Sequence, residues 1–67
     1  MSVAKHIELT ADSSTSFEDA IAKGLKKAGE TVDGITAAWV KGQQVLVEKG
    51  KVTTYRVQMK VTFVLKG

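Results

Sequence analysis

Apolar and polar residues alternate most regularly over residues 51–65, near the end of the chain. The apolar positions are Tyr55, Val57, Met59, Val61, Phe63 and Leu65, and the polar positions are Thr54, Arg56, Gln58, Lys60 and Thr62. A period of two predicts a β-strand with one buried face. A less regular alternation predicts a first strand over residues 3–10, in which Ile7 and Leu9 oppose His6 and Glu8.

The pattern over residues 35–47 predicts another long strand. The turn Glu48-Lys49-Gly50-Lys51 joins it to the strand over residues 51–65 as a hairpin. The two faces of the strand over residues 35–47 are predicted as Ala38, Val40 and Leu46 on one side, and Ala37, Trp39, Lys41 and Gln43 on the other. The apolar phase becomes ambiguous at Gly42, which favours a β-bulge there.

A helical spacing of apolar residues predicts one α-helix over residues 16–32. Its buried stripe consists of Phe17, Ala20, Ile21, Ala28 and Val32, with Gly24 between them. Thr15-Ser16-Phe17-Glu18 fits a capping box, although Ser14 or Ser16 can serve as the cap instead. Gly34 suits the left-handed position that commonly ends a helix.

These elements predict a single α+β domain over residues 1–67, in which one helix packs on a three-stranded antiparallel sheet. A core this small is marginal by itself, and the absence of cysteine excludes disulfides as reinforcement. The strands span about 45 Å and the helix about 25 Å, so the strand ends overhang the helix. Overhanging apolar strand is normally buried by another subunit, and we therefore expect self-association.

Charge and motifs exclude several classes of function. The net charge is only +3 and the basic residues are scattered, which argues against nucleic acid as a partner. The sequence lacks an apolar run of about 20 residues, so we expect no membrane contact. Residues 1–5 are not followed by the apolar segment of a signal peptide, so we expect a cytoplasmic protein. His6 has no evident triad partner and the glycines match no phosphate loop, so we expect no enzyme.

Binding of a small ligand is better supported than catalysis. Trp39 is predicted on the sheet face that points away from the helix, and Arg56 and Gln58 share that face on the adjacent strand. An indole beside amide and guanidinium groups suits a planar ligand with polar edges. Trp39 can equally be buried between subunits, and the two interpretations are compatible if the ligand lies at that interface.

The ordered set of motifs resembles the dodecin family over nearly the whole chain. The matching segments are Lys5-His6-Ile7-Glu8-Leu9-Thr10, Ser13 to Glu18, Glu30-Thr31-Val32-Asp33-Gly34-Ile35, Thr54-Tyr55-Arg56-Val57 and Lys60-Val61-Thr62-Phe63-Val64-Leu65. The resemblance implies β-α-β-β subunits assembled into a hollow spherical dodecamer. Many dodecins bind riboflavin, FMN or FAD in paired stacks between subunits and store flavin without being redox enzymes.

Two positions depart from the flavin-binding members of that family. Ala37 occupies the position of their stacking tryptophan, and Arg56 occupies that of their hydrogen-bonding glutamine. Trp39 and Gln58 each follow two residues later. Because the two strands run in opposite directions, we expect these displacements to move the pair apart along the sheet.

The first hypothesis is therefore a dodecin-like binder of flavin, lined by Ala37, Trp39, Arg56 and Gln58, in which Arg56 favours phosphorylated ligands. The alternative is a dodecin-like shell that binds no flavin and holds another ligand or a metal, or is purely structural. Relatives with arginine after the tyrosine are thought not to hold flavin, and calcium has been proposed for one type. The net positive charge argues against a strong calcium site here.

Overall fold

The computed structural model describes residues 3–65 and has the element order β-α-β-β, as predicted. The elements are β1 (Val3–Ser13), α1 (Phe17–Gly29), β2 (Ile35–Glu48) and β3 (Lys51–Leu65). The predicted domain extends to residues 1–2 and 66–67, which lie outside the described part. The elements within residues 3–65 belong to one sheet and the helix packed on it.

The three strands form one antiparallel sheet in the order β1-β3-β2. β3 lies in the centre and pairs with β1 from Leu65 to Tyr55. It also pairs with β2 from Phe63 to Lys51. The central position, with one face against the helix, explains why β3 has the cleanest alternation in the sequence. β1 continues three residues beyond its predicted end, because Ala11 and Ser13 keep the inward alternation.

Helix α1 begins after Ser16, whose hydroxyl accepts a hydrogen bond from the Asp19 backbone N–H at 3.0 Å. Ser16, one of the alternatives considered, is therefore the cap, whereas the capping box that begins at Thr15 was wrong by one residue. The helix ends at Gly29 and not at residue 32. No helix within residues 3–65 is long and apolar enough to cross a membrane.

Gly34 adopts the left-handed conformation, with φ near +80°, but it lies beyond the helix end, at the entrance to β2. Its carbonyl accepts a hydrogen bond from the Val64 N–H at 3.0 Å. The left-handed backbone was predicted correctly, whereas its assignment to the helix cap was wrong. The turn at this point connects the helix layer to the sheet edge.

The core lies between α1 and the inner face of the sheet. Its fully buried side chains are Ala20, Val57, Met59 and Val61. Gly24 faces the sheet here, where an added Cβ would lie 2.8 Å from Met59 Cε and 2.9 Å from Ala11 Cβ. The absence of a side chain thus allows the helix to approach β1 and β3 closely.

The end of the β2–β3 hairpin extends past both the helix and β1. Helix α1 is about 20 Å long at 1.5 Å per residue, whereas the long axis of the molecule is 52 Å. β1 ends opposite Tyr55, which also pairs with Val45, so residues 46–54 form a two-stranded extension. Val47 and Val52 are exposed on this extension, and Val45 is exposed at its base. The predicted overhang of apolar strand is confirmed.

A β-bulge at Lys41 reverses the phase of β2. Val40 pairs with Met59 and Gly42 pairs with Gln58, so Lys41 has no partner in the ladder. The bulge was predicted, but its effect on later residues was not included. Gln43 consequently opposes Val57 on the inner face, and Leu46 opposes Thr54 on the outer face. The predicted faces of Gln43 and Leu46 were therefore wrong, because one extra residue exchanges the two sides of a strand.

Candidate functional site

The side of the sheet that points away from α1, here called the outer face, is built from four rows of cross-strand neighbours. Each row contains one residue from β1, one from β3 and one from β2. The rows are His6–Thr62–Ala37, Glu8–Lys60–Trp39, Thr10–Gln58–Gly42 and Asp12–Arg56–Gln44. The structure thus places Ala37, Trp39, Arg56 and Gln58 on one face, as the alternation predicted.

Trp39 is the largest apolar side chain on the outer face, and 67% of its surface is exposed. It opposes Lys60 across the β2–β3 ladder, and Ala37 precedes it on the same face. The short Ala37 side chain leaves space next to the indole. A large exposed ring on a polar face is available for stacking against a ligand or another subunit.

Gln58 lines two hollows, each bordered mainly by residues of the outer face. One hollow of about 360 Å³ is lined by Glu8, Leu9, Thr10, Lys41, Gln58 and Met59. The other, of about 310 Å³, is lined by Gly42, Gln43, Gln44, Arg56 and Gln58. A Cβ on Gly42 would lie 3.3 Å from Gln58 Oε1. The glycine therefore gives the Gln58 amide room above β2, where its donor and acceptor atoms border both hollows.

The register places Trp39 closer to Gln58 than Ala37 is to Arg56, the two positions that hold tryptophan and glutamine in flavin-binding dodecins. Trp39 opposes Lys60, two residues from Gln58 along β3, whereas Ala37 opposes Thr62, six residues from Arg56. At about 3.4 Å per residue these separations are about 7 Å and about 20 Å. The prediction that the displacements separate the pair was wrong. A shift of two residues along β2 moves the opposing position on β3 from Thr62 to Lys60, and the shift from Arg56 to Gln58 approaches it from the other side.

Arg56 is held by a carboxylate of its own chain. Its Nε donates to Asp12 Oδ1 at 2.8 Å and its Nη2 donates to Asp12 Oδ2 at 3.0 Å. These hydrogen bonds raise the pKa of Arg56 and lower the pKa of Asp12. Asp12 therefore occupies one of the two forks of the Arg56 guanidinium, from which bidentate contact with a ligand phosphate was expected.

The other charges on the outer face are weakly paired. Lys41 Nζ lies 3.4 Å from Glu8 Oε1, and His6 Nδ1 lies 2.9 Å from the Thr62 hydroxyl. Residues 3–65 contain no group of three or more His, Cys, Asp or Glu side chains placed to hold a metal ion. The acids of this face within one chain therefore neighbour cations of the same chain and do not converge on a common point.

Asp12 and Gln44 are the residues of this face that the sequence interpretation missed. The first strand was predicted to end at residue 10, before Asp12, and Gln44 was assigned to no face. Continuing the alternation of His6, Glu8 and Thr10 by one step would have placed Asp12 on the outer face. Gln44 required the phase reversal that the bulge causes, and this reversal was not carried through to the residues after the predicted bulge.

Known proteins resemble this chain over nearly its full length. The sequence pattern of the dodecin family matches residues 3–66. Calcium dodecin of Mycobacterium tuberculosis is 36% identical over 66 residues, which cover 98% of this chain and 93% of that protein.

Solved structures show the same architecture. A mutant of the T. thermophilus dodecin has a TM-score of 0.94 at 28% identity, with 100% of both chains covered. The crystal structure of calcium dodecin from Mycobacterium tuberculosis, described as a calcium-chelating immunodominant antigen, has a TM-score of 0.83 at 37% identity. That match covers 96% of this chain and 91% of the other. The shared β-α-β-β architecture and the match across residues 3–66 establish that this chain belongs to the dodecin family.

Proposed function

We propose that the protein is a self-assembling binding and storage protein without catalytic activity, and that its ligand is a planar, polar-edged ring. Flavin, as riboflavin, FMN or FAD, is the first ligand to test. The observation that carries this proposal is the exposed Trp39 on the same face as Gln58 and its two adjoining hollows.

Assembly is supported by the surface of the isolated chain. Its accessible surface is 4969 Å², whereas a compact monomer of 7.2 kDa would expose about 4,100 Å². The excess includes the apolar extension with Val47 and Val52, and Val45 at its base. Burial of this surface by other subunits would stabilise a core that is marginal alone. Twelve copies, as the family implies, would form a hollow shell with the ligands between subunits.

The outer face supports a planar ligand in three ways. The indole of Trp39 offers a stacking surface, and a second Trp39 across an interface would complete a sandwich. The Gln58 amide can both donate to and accept from the edge of a flavin ring. The two hollows have volumes in the range of small-ligand sites. Ala37 would leave space beside the ring.

Calcium is the second candidate, because the related protein from Mycobacterium tuberculosis is a calcium dodecin. Calcium requires six to eight oxygen ligands, mostly carboxylates and carbonyls. On the outer face Glu8 neighbours Lys41 and Asp12 is held by Arg56. A calcium site in this protein would therefore have to combine oxygen atoms from more than one subunit.

One set of measurements tests these proposals. Light scattering on the purified protein gives the assembly mass, for which we expect about 86 kDa, twelve times the 7.2 kDa chain. Titration into riboflavin and into FMN should quench their fluorescence stoichiometrically. Calorimetry with Ca²⁺ alone tests the second candidate.

Variants at Trp39 test its stacking role. Trp39→Ala should weaken flavin binding about tenfold or more, and Trp39→Phe should retain part of the affinity, because stacking depends on the ring. A large assembly that binds Ca²⁺ and quenches neither flavin would replace the flavin proposal with the calcium one. A stable monomer at micromolar concentration would refute the assembly and with it the site between subunits.

A further inference from the structure

The ion pair between Asp12 and Arg56 is held in place by the sheet itself. The two residues oppose each other directly in the β1–β3 register, so the strand ladder fixes both backbones before the side chains meet. The pair uses both carboxylate oxygens, at 2.8 and 3.0 Å. Because the ladder already fixes both backbones, the pair costs only the rotamer freedom of the two side chains when it forms.

This pair controls the charge of the hollow next to Gln58. Arg56 is the only charged residue among the five that line this hollow; the others are one glycine and three glutamines. Asp12 offsets the guanidinium from the adjacent strand. The wall of the hollow is therefore close to neutral, although it contains the only arginine in the chain.

We propose that Asp12 is a specificity-determining residue, which holds Arg56 and thereby makes this hollow accept an uncharged ligand edge and disfavour a phosphate. The inference rests on the proposed function and names the ligand class more closely, as riboflavin-like rather than FMN-like. A guanidinium has five N–H groups, and the pair with Asp12 uses two of them. The remaining three can donate to neutral acceptors, such as the ring carbonyls of a flavin.

A ligand phosphate in this hollow would interact less favourably with Arg56 than a neutral carbonyl does. It can take the Nε–Nη2 fork of Arg56 only by displacing the Asp12 carboxylate, and at the three remaining N–H groups it is repelled by that carboxylate. A neutral carbonyl has neither penalty. Lys41 and Lys60 also lie on the outer face, and both neighbour Glu8, by contact and by register respectively. Their charges are therefore also partly offset.

Removal of the Asp12 carboxylate tests the proposal directly. We expect Asp12→Ala to raise the affinity for FMN relative to riboflavin by about tenfold or more, the scale of a charge-assisted hydrogen bond. Glu18→Ala removes the same charge from an exposed position on the helix, on the other side of the sheet. This control should change the ratio less than about threefold.

The double variant Asp12→Ala/Arg56→Gln separates the release of Arg56 from a general change of charge. The gain in FMN selectivity should disappear in it, because the released guanidinium is gone. Persistence of the gain in the double variant, or an equal gain in Glu18→Ala, would overturn the inference.

A measurement without flavin keeps the inference testable if the proposed function fails. Phenylglyoxal modifies free guanidinium groups, and Arg56 is the only arginine, so mass spectrometry reports on this one residue. Asp12→Ala should accelerate its modification about tenfold or more over wild type, with Glu18→Ala unchanged. Absence of flavin binding in wild type would refute the flavin proposal alone. Equal modification rates in wild type and Asp12→Ala would show that Asp12 does not hold Arg56 and would overturn this inference.

Discussion

Two glycines in the same helix should respond differently to substitution by alanine, which should destabilise the fold at Gly24 but not at Gly29. At Gly24 an added methyl group would lie 2.8 Å from Met59 Cε and 2.9 Å from Ala11 Cβ. The end of the Met59 side chain can rotate away, but the Ala11 Cβ is attached directly to the β1 backbone. Gly24→Ala therefore forces the helix and β1 apart by several tenths of an ångström.

The expected magnitude is the difference between two effects. Overpacking a core costs about 1–3 kcal/mol, and replacing glycine by alanine within a helix recovers about 1 kcal/mol. Gly24→Ala should therefore lower the free energy of unfolding by about 1 kcal/mol. At Gly29 no atom lies within 4 Å of the added Cβ apart from neighbouring residues and backbone of the helix itself, and the residue is exposed. Gly29→Ala should be neutral or stabilise by up to about 1 kcal/mol.

Urea unfolding followed by circular dichroism measures this difference. Wild type and both variants must be compared at one protein concentration, because the proposed assembly would make stability depend on concentration. The expected order of midpoints is Gly29→Ala at or above wild type, and Gly24→Ala below both. If Gly24→Ala were as stable as Gly29→Ala, the close approach of the helix to β1 would not limit this position, and the packing argument would fail.

Three further predictions concern the helix start, the carboxylates and the exposed extension. Ser13 is buried and its hydroxyl donates a hydrogen bond to Asp19 at 2.5 Å. Ser13→Ala should therefore destabilise the fold by about 1–3 kcal/mol, which a lower melting temperature would show. Ser14→Ala, which changes an exposed neighbour, is the control. Hydrogen bonds from Arg56 and Ser13 lower the pKa values of Asp12 and Asp19 respectively. The two carboxylates therefore contribute to stability above their unfolded pKa near 4, and this contribution is lost as the pH falls through their lowered pKa values in the folded state. Urea midpoints between pH 2 and pH 7 should show this loss, and a flat profile below pH 4 would contradict it. Val47→Glu should dissociate the assembly, because it places a charge on the exposed apolar extension, and an unchanged mass by light scattering would show that this extension is not an interface.

The local pattern of the chain determined its elements. β3 was predicted correctly because its alternation is uninterrupted, and the Gly42 region was predicted as a bulge because the alternation fails there. The helix boundaries were less accurate, since Ser16 and Thr15 are both suitable caps and only the backbone geometry selects one. Trp39, Gln58 and Arg56 could be assigned to one face because a period of two is a local property. Their roles toward a ligand, with that of Ala37, stay predictions.

The contacts that these residues make across the sheet follow only from the tertiary structure. Asp12 and Arg56 are 44 residues apart and form a pair because β1 lies beside β3 and not beside β2. Nothing in the alternation of either strand specifies that order or the register. The phase of β2 after Lys41 and the approach of Trp39 to Gln58 depend on the same non-local pairing. Sequence periodicity specifies which side of a strand a residue occupies, whereas its neighbours across the sheet depend on strand order, register and bulges together.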